Sequence, residues 1–226
     1  MRILVTGGTG LVGRDIVAHL LEGAGAELIV VSRRPPAFRA EALRWHEHDL
    51  SSSAPLPDAL FDGVDYVVHG AAHLQHASRE DYLAAAQLNF SRTAELYAQA
   101  VAHGVRKVVY LSGLNFLRKP LQPCIDEAHA VGPANPYALA KLWGEYALFA
   151  VLRGSSTVPV ALRVSSPVPR SVEELHDTVL RRWITTARSG GAVVVFGRGR
   201  RQQDYVSTQD VAAAVNRVLR TNAEGV

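Results

Sequence analysis

Apolar positions along this chain fall into two kinds of stretch. Short, mainly apolar and β-branched runs occur at residues 3–6, 28–31, 65–68, 107–111 and 158–162. Such runs suit strands buried on both faces of a parallel sheet. Between them lie longer stretches with helical periodicity. Residues 11–21 put Ile16, Val17 and Leu20 on one face, residues 81–103 allow a helix with a break near Asn89, and residues 136–153 form the third. Strands alternating with helices predict an α/β fold whose sheet is covered on both sides. Right-handed crossovers make it a doubly wound parallel sheet.

The pattern changes after Val164. Ser165, Ser166, Pro167 and Pro169 mark a loop. A helix over 172–187, a short strand over 192–196, a Gly-Arg loop and a last helix over about 208–220 follow, with Thr208 as N-cap and Val211, Val215, Val218 and Leu219 as its buried stripe. The expected division is a first domain over 1–164 and a small, abbreviated C-terminal lobe over 165–226 that partly returns to the main layer.

Composition narrows the picture. The chain has 226 residues, 48% of them hydrophobic, enough for a sizeable core. Its one cysteine, Cys124, excludes a disulfide scaffold and a Cys-based zinc cluster. No apolar run reaches the ~18 residues of a membrane span, and the apolar start is too soon interrupted by glycine for a signal peptide. The expectation is a soluble, cytoplasmic protein with no membrane partner. A net charge of +3 suits an anionic small molecule and is weak evidence for nucleic acid, which is not expected as a partner. The nine histidines fall in no recognised zinc-ligand spacing, so no metal is expected.

Thr6-Gly7-Gly8-Thr9-Gly10-Leu11-Val12-Gly13 leaves the first strand and opens the first helix. Gly7, Gly10 and Gly13 have the spacing at which a chain turns sharply, approaches a pyrophosphate closely and packs its helix on the sheet. The free N–H groups of that helix then bind phosphate. Dinucleotide binding by Gly7, Thr9, Gly10, Leu11, Val12 and Gly13 is the reading. The residue that selects the cofactor is expected ~20 positions further on. Ser32, Arg33 and Arg34 stand there, with no acid to hold a ribose 2′-hydroxyl. Arg33 can clamp a 2′-phosphate with its fork of donors, so NADP(H) is preferred and NAD(H) stays open; the plainer alternative is that both arginines point into solvent.

Tyr137 and Lys141 lie four apart, on one face of a helix that begins near Pro136. An ammonium beside a tyrosine is expected to lower its pKa, and the phenol can then exchange a proton with an alcohol or carbonyl while hydride moves to or from a nicotinamide ring.

These motifs resemble the extended short-chain dehydrogenase/reductase family, the NAD(P)-dependent sugar epimerases and dehydratases. His48-Asp49-Leu50 resembles its Asp-hydrophobic pair at the adenine. Val67-Val68-His69-Gly70-Ala71-Ala72 resembles the strand and turn beside the cofactor riboses, and Asn89 and Thr93 its helix Asn and Thr. Val109-Tyr110-Leu111-Ser112 resembles the strand that ends at the catalytic serine, and Leu162-Arg163 the strand that passes the nicotinamide. Asp204-Tyr205-Val206 and Asp210-Val211-Ala212 resemble a late segment of the family.

The resemblance implies a Rossmann-type fold and roles for single residues. Tyr137 is the general acid/base, Lys141 holds the nicotinamide ribose, and Ser112 hydrogen-bonds the reacting oxygen. Asp49, Leu50, Gly70, Ala71, Ala72, Asn89 and Val164 join the cofactor set. His73, Asn115, Arg200 and Arg201 are assigned to the substrate, a sugar or similar small carbonyl compound. Leu142, Trp143 and Tyr146 fit a homodimer face, since relatives pair through such helices, or packing within the chain.

Several positions depart from the family. Gly113 replaces a second Ser or Thr, Phe116-Leu117-Arg118 a Tyr-Gly, and Gln203 an arginine. Leu114-Asn115 stands where sugar 4,6-dehydratases carry Asp-Glu, which argues against dehydration. The expected activity is reversible hydride transfer, by a reductase or an epimerase. A redox-silent dinucleotide sensor is the alternative. Intact Tyr137 and Lys141 count against it, and the short lobe and Gly113 count for it.

Overall fold

The computed structural model describes residues 1–23, 25–73, 79–119, 124–175, 178–200 and 202–226. Six parallel strands form the main sheet: β1 (Arg2–Thr6), β2 (Glu27–Ser32), β3 (Leu43–Glu47), β4 (Tyr66–His69), β5 (Lys107–Gly113) and β6 (Val158–Val164). Their order, β3-β2-β1-β4-β5-β6, is that of a doubly wound sheet and reverses between β1 and β4. The central strands are apolar because helices cover both their faces. Along β1, Leu4 faces one core while Ile3 and Val5 face the other. The edge strand β3 carries exposed Arg44, Trp45 and Glu47, which discourage pairing with another chain.

The helices are α1 (Gly13–Glu22), α2 (Arg79–Ala86), α3 (Thr93–Ala102), α4 (Pro136–Val151), α5 (Val179–Arg188) and α6 (Thr208–Arg220). One core joins Leu96, Tyr97 and Ala100 of α3 and Leu148 of α4 to the sheet. The other joins Ile16, Val17 and Leu20 of α1 and Ala212, Val215 and Leu219 of α6 to the opposite face. α6 therefore belongs to the main layer. Lys107 fastens its C-terminal end: the ammonium donates to the carbonyls of Val218 and Thr221 at 2.8 and 2.7 Å. The predicted break near Asn89 is a π-helical segment, Gln87–Arg92, between α2 and α3.

Three expectations for the C-terminal part fail. Residues 172–187 do not form one helix: Val172–Glu174 is a short 3₁₀ turn, and α5 starts afresh where the Thr178 hydroxyl accepts from the Arg181 amide. Residues 192–196 form no strand, and Val193–Phe196 are exposed, because no described strand lies beside them to pair with. Ser207, not Thr208, caps α6, accepting from the Gln209 amide at 3.1 Å. The Thr208 hydroxyl instead meets the Asp15 carboxylate, and Val218 is only half-buried. The only other sheet joins β7 (Ser166–Val168) and β8 (Tyr205–Ser207), among the described residues.

Candidate active site

The candidate residues gather at the C-terminal ends of β1, β4, β5 and β6, next to the point where strand order reverses, the usual ligand crevice of such sheets. Gly7 leaves β1 with φ 73°, a conformation costly for any residue with a Cβ. A Cβ there would lie 2.6 Å from the Ala71 amide nitrogen, and one on Gly13 would lie 2.0 Å from the Gly7 carbonyl oxygen. Contact between the loop, the Gly70-Ala71 turn and the start of α1 thus requires both glycines. Gly10 is exposed, with only the Gly7 carbonyl oxygen near its missing Cβ, at 3.2 Å. Gly8, outside the expected set, lets the loop pack on Val30 and Val17. Val12 caps α1 and has no side-chain acceptor to offer. The Arg14 and Ile16 amides already donate to the Gly10 and Val12 carbonyls at 3.1 Å each, and the other N–H groups where the loop opens α1 suit a pyrophosphate.

At the end of β2, Ser32 is buried and donates to the Arg34 carbonyl at 2.7 Å, while Arg33 and Arg34 are exposed. Asp49 accepts from the Ser51 hydroxyl at 2.6 Å and the Ser51 amide at 2.9 Å. Burial pushes its carboxyl up, but these donors and the Arg33 charge outweigh burial and hold it below the ordinary range. The Leu50 side chain is in the core, so only its backbone is left to meet a nucleotide.

A buried polar chain ties these loops together. His69 Nε2 lies 2.9 Å from the Thr93 hydroxyl, which donates to the Leu88 carbonyl at 3.0 Å. The hydroxyl has one proton, so it must accept from the imidazole, which fixes the Nε2–H tautomer. Nδ1 then accepts from the Thr6 hydroxyl at 2.7 Å, and Thr6 accepts from the Ala71 amide at 3.3 Å. Burial first, then the Lys141 charge, pushes the His69 pKa down to about 3, so the ring is neutral. Asn89 uses both ends of its amide on the His73 backbone, at 2.9 Å each, and thereby fixes the loop after β4.

Asn135 caps α4, accepting from the Ala138 amide at 2.9 Å, so Tyr137 and Lys141 follow on its first turns. Lys141 is buried. Its ammonium donates to the Leu111 carbonyl at 2.8 Å and lies 4.8 Å from the Tyr110 ring centre. Burial lowers its pKa to about 8, against the opposing charge of Glu145. Ser112, beside Leu111, is buried, and its hydroxyl has no hydrogen-bond partner. Gly113 pairs with Val164, and a Cβ on Gly113 would meet the Asn115 side-chain oxygen at 3.3 Å.

Residues 3–226 match the NAD dependent epimerase/dehydratase family. The chain belongs to that family. It is similar to the uncharacterized protein y4nG of Sinorhizobium fredii, 26% identical over 226 residues that take in 98% of this chain and 54% of that protein. A UDP-glucose 4-epimerase of Mycolicibacterium smegmatis is 30% identical over 229 residues, 95% of this chain and 72% of that protein. In structure the chain resembles MoeE5 in complex with UDP-glucuronic acid and NAD, with a TM-score of 0.84 at 25% identity, over 100% of this chain and 74% of that one. It thus spans between about half and three quarters of these relatives.

For this epimerase/dehydratase family member, the sequence expected Lys141 to lower the Tyr137 pKa. The structure differs: burial raises it, since the ammonium is 6.0 Å from the ring centre and already hydrogen-bonded to Leu111. Asn115 is exposed at the mouth of the site, Ala72 and His73 are half-buried in the loop after β4, Arg200 is exposed in its turn, and Arg201 lies outside the described residues. Leu142 and Trp143 pack within the chain, Trp143 against Phe90, and only Tyr146 of that trio is exposed. Among the described residues no three His, Cys, Asp or Glu side chains are grouped to hold a metal, and no helix is long and apolar enough to cross a membrane. Sequence reasoning missed the ion pair of buried Glu145 with half-buried Arg163; the step of four from Lys141 to Glu145 signalled only that those two share a helix face.

Proposed function

We propose that this chain is the cofactor-binding and catalytic part of an NAD(P)-dependent oxidoreductase, an epimerase or a reductase, acting on a secondary alcohol or ketone of a nucleotide sugar or similar small polar compound. The observation that carries this reading is the Ser112 hydroxyl, buried without a partner on the strand to which Lys141 bonds. A buried orphan hydroxyl is costly and rare, and a substrate oxygen would satisfy it. The names of similar proteins support the substrate class: a UDP-glucose 4-epimerase, and MoeE5 with UDP-glucuronic acid and NAD.

A bound nicotinamide dinucleotide supplies the hydride acceptor or donor. The loop from Gly7 to Gly13 and the start of α1 hold its pyrophosphate, Asp49 and the Leu50 backbone flank the adenine, and Gly70, Ala71 and Val164 flank the rest. Tyr137, held protonated by burial, would give its proton to the carbonyl oxygen as hydride arrives there, and the phenolate so formed would take it back in the reverse direction. Ser112 donates a hydrogen bond to that oxygen, and Lys141, fixed on the Leu111 carbonyl, would hold the nicotinamide ribose. The stretch between β6 and α6, with His73 and Asn115, would form the substrate side, to which Arg200 adds charge. Arg33 favours NADP(H) over NAD(H). Exposed Leu139 and Tyr146 on α4 fit pairing with a second copy.

The test offers UDP-glucose and UDP-glucuronic acid, with either cofactor, to the protein and to Tyr137→Phe. Turnover is expected to fall about 10²–10⁴-fold while cofactor affinity is kept. Undiminished turnover in the variant overturns the role of Tyr137. Cofactor binding without turnover of any such substrate favours a redox-silent sensor.

A further inference from the structure

Glu145 lies one helical turn beyond Lys141 and is 2% exposed. Arg163 of β6 grips it with a fork: Nε donates to Oε1 at 3.0 Å and Nη2 to Oε2 at 2.8 Å. The other arm of the guanidinium donates to the Glu127 carbonyl at 3.1 Å, in the loop that leads into α4. The group also lies 5.1 Å from the ring centre of Phe116, just after Ser112. One ion pair therefore joins the strand beside Val164, the helix of Tyr137 and Lys141, and both loops that flank the site. Folding alone gives little reason for it, because well-packed apolar side chains commonly replace a buried pair without loss.

We infer that Glu145 and Arg163 are positioning residues of the catalytic site: Glu145 is the counter-charge of Lys141, and Arg163 locks that carboxylate in place while tying the flanking loops to the sheet. The inference rests on the reading of Tyr137 and Lys141 as the catalytic pair. The groups facing Lys141 support it. β4 presents neutral His69, whose ring would only repel the ammonium if charged. β5 presents the Leu111 carbonyl and the Tyr110 phenol, held un-ionised by burial. α4 presents Tyr137, also pushed up by burial. Among the described residues, only Glu145 brings negative charge to bear on Lys141, and it opposes the burial that lowers the lysine's pKa to about 8. Without that carboxylate the lysine loses its proton at still lower pH, and the site loses its buried cation.

The chain has three lysines, Lys107, Lys119 and Lys141, so the side-chain ¹³Cε signals of the labelled protein can be assigned with single Lys→Arg variants. The cofactor-free protein is titrated. In Glu145→Gln the Lys141 midpoint is expected to fall by about one pH unit, and Glu145→Asp is expected to restore most of it. The high-pH limb of the kcat profile should move down by the same amount with KM unchanged. If Glu145→Gln does not fold, Glu145→Gln combined with Arg163→Gln removes both charges of the pair, and the same fall is expected. An unmoved Lys141 midpoint in a folded variant overturns the inference. It leaves the proposed function standing, since the titration needs neither cofactor nor substrate. A wild-type protein without turnover, but with the midpoint shift, overturns the function and keeps the electrostatic coupling.

Discussion

Ser112 separates folding from function at the scale of one residue. Its hydroxyl is buried and satisfies nothing within the fold. Leaving such a group unpaired costs about 1–3 kcal/mol, so folding alone favours alanine at this position. Ser112→Ala is expected to keep or raise the melting temperature. At about 2–4 °C per kcal/mol for a chain of this size, the gain is a few degrees. Turnover should fall about 10²–10³-fold, as when a donor to a reacting oxygen is lost. A variant that melts as the wild type does and turns over as fast removes Ser112 from the chemistry. Gly113 adds a contrast, since the missing Cβ leaves room for the Asn115 amide. A side chain there must push that amide aside.

At the scale of elements, the buried imidazole of His69 holds β1, β4 and the start of α3 together, and it does so only while neutral. In the unfolded chain its pKa returns to about 6.5. The folded value is depressed, so the unfolded state binds more protons between about pH 3 and 6.5. The stability is whole above pH 6.5 and drains as pH falls, by about 3 kcal/mol at pH 4. His69→Gln starts less stable at pH 7 but cannot titrate. Urea unfolding at pH 7 and pH 4 should show a smaller loss in the variant, the carboxylates contributing equally to both. Equal losses would show that the imidazole is not the titrating group. Much of this level was legible in the sequence. The central strands announced themselves because burial on both faces demands unbroken apolar runs, and the break near Asn89 emerged as the π-helical segment. Residues 192–196 carry an equally apolar run and form no strand, because a strand also needs a neighbour, and local sequence does not say where one lies. Tyr137 and Lys141 were proposed from their spacing and Ser112 from the family resemblance, and the structure brings Lys141 to the strand that carries Ser112. The rise in the Tyr137 pKa and the Glu145–Arg163 pair were not legible, since both arise from packing between α4 and distant strands.

For the whole molecule, cofactor choice becomes a stability measurement. A ligand that binds only the folded chain stabilises it by about 2.7 kcal/mol at 100 times its Kd. At about 2–4 °C per kcal/mol, that raises the melting temperature by roughly 5–10 °C. On the proposed reading the loop from Gly7 to Gly13 would serve either dinucleotide, whereas Arg33, exposed at the end of β2, would meet the 2′-phosphate of NADPH alone. NADPH should therefore shift the melting curve further than NADH at equal concentration. Arg33→Ala should reduce the NADPH shift to that of NADH and leave the NADH shift unchanged. Because the contact is solvent-exposed, the NADPH advantage should also shrink as salt shortens the screening length from about 30 Å at 0.01 M to about 3 Å at 1 M. Equal shifts in the wild type would mean that Arg33 makes no contact with the cofactor, and that the site takes NAD(H) as readily despite lacking an acid at the end of β2. A larger NADPH shift that survives both Arg33→Ala and high salt would move the selectivity to another group near the adenine ribose, with Arg34 the next to replace.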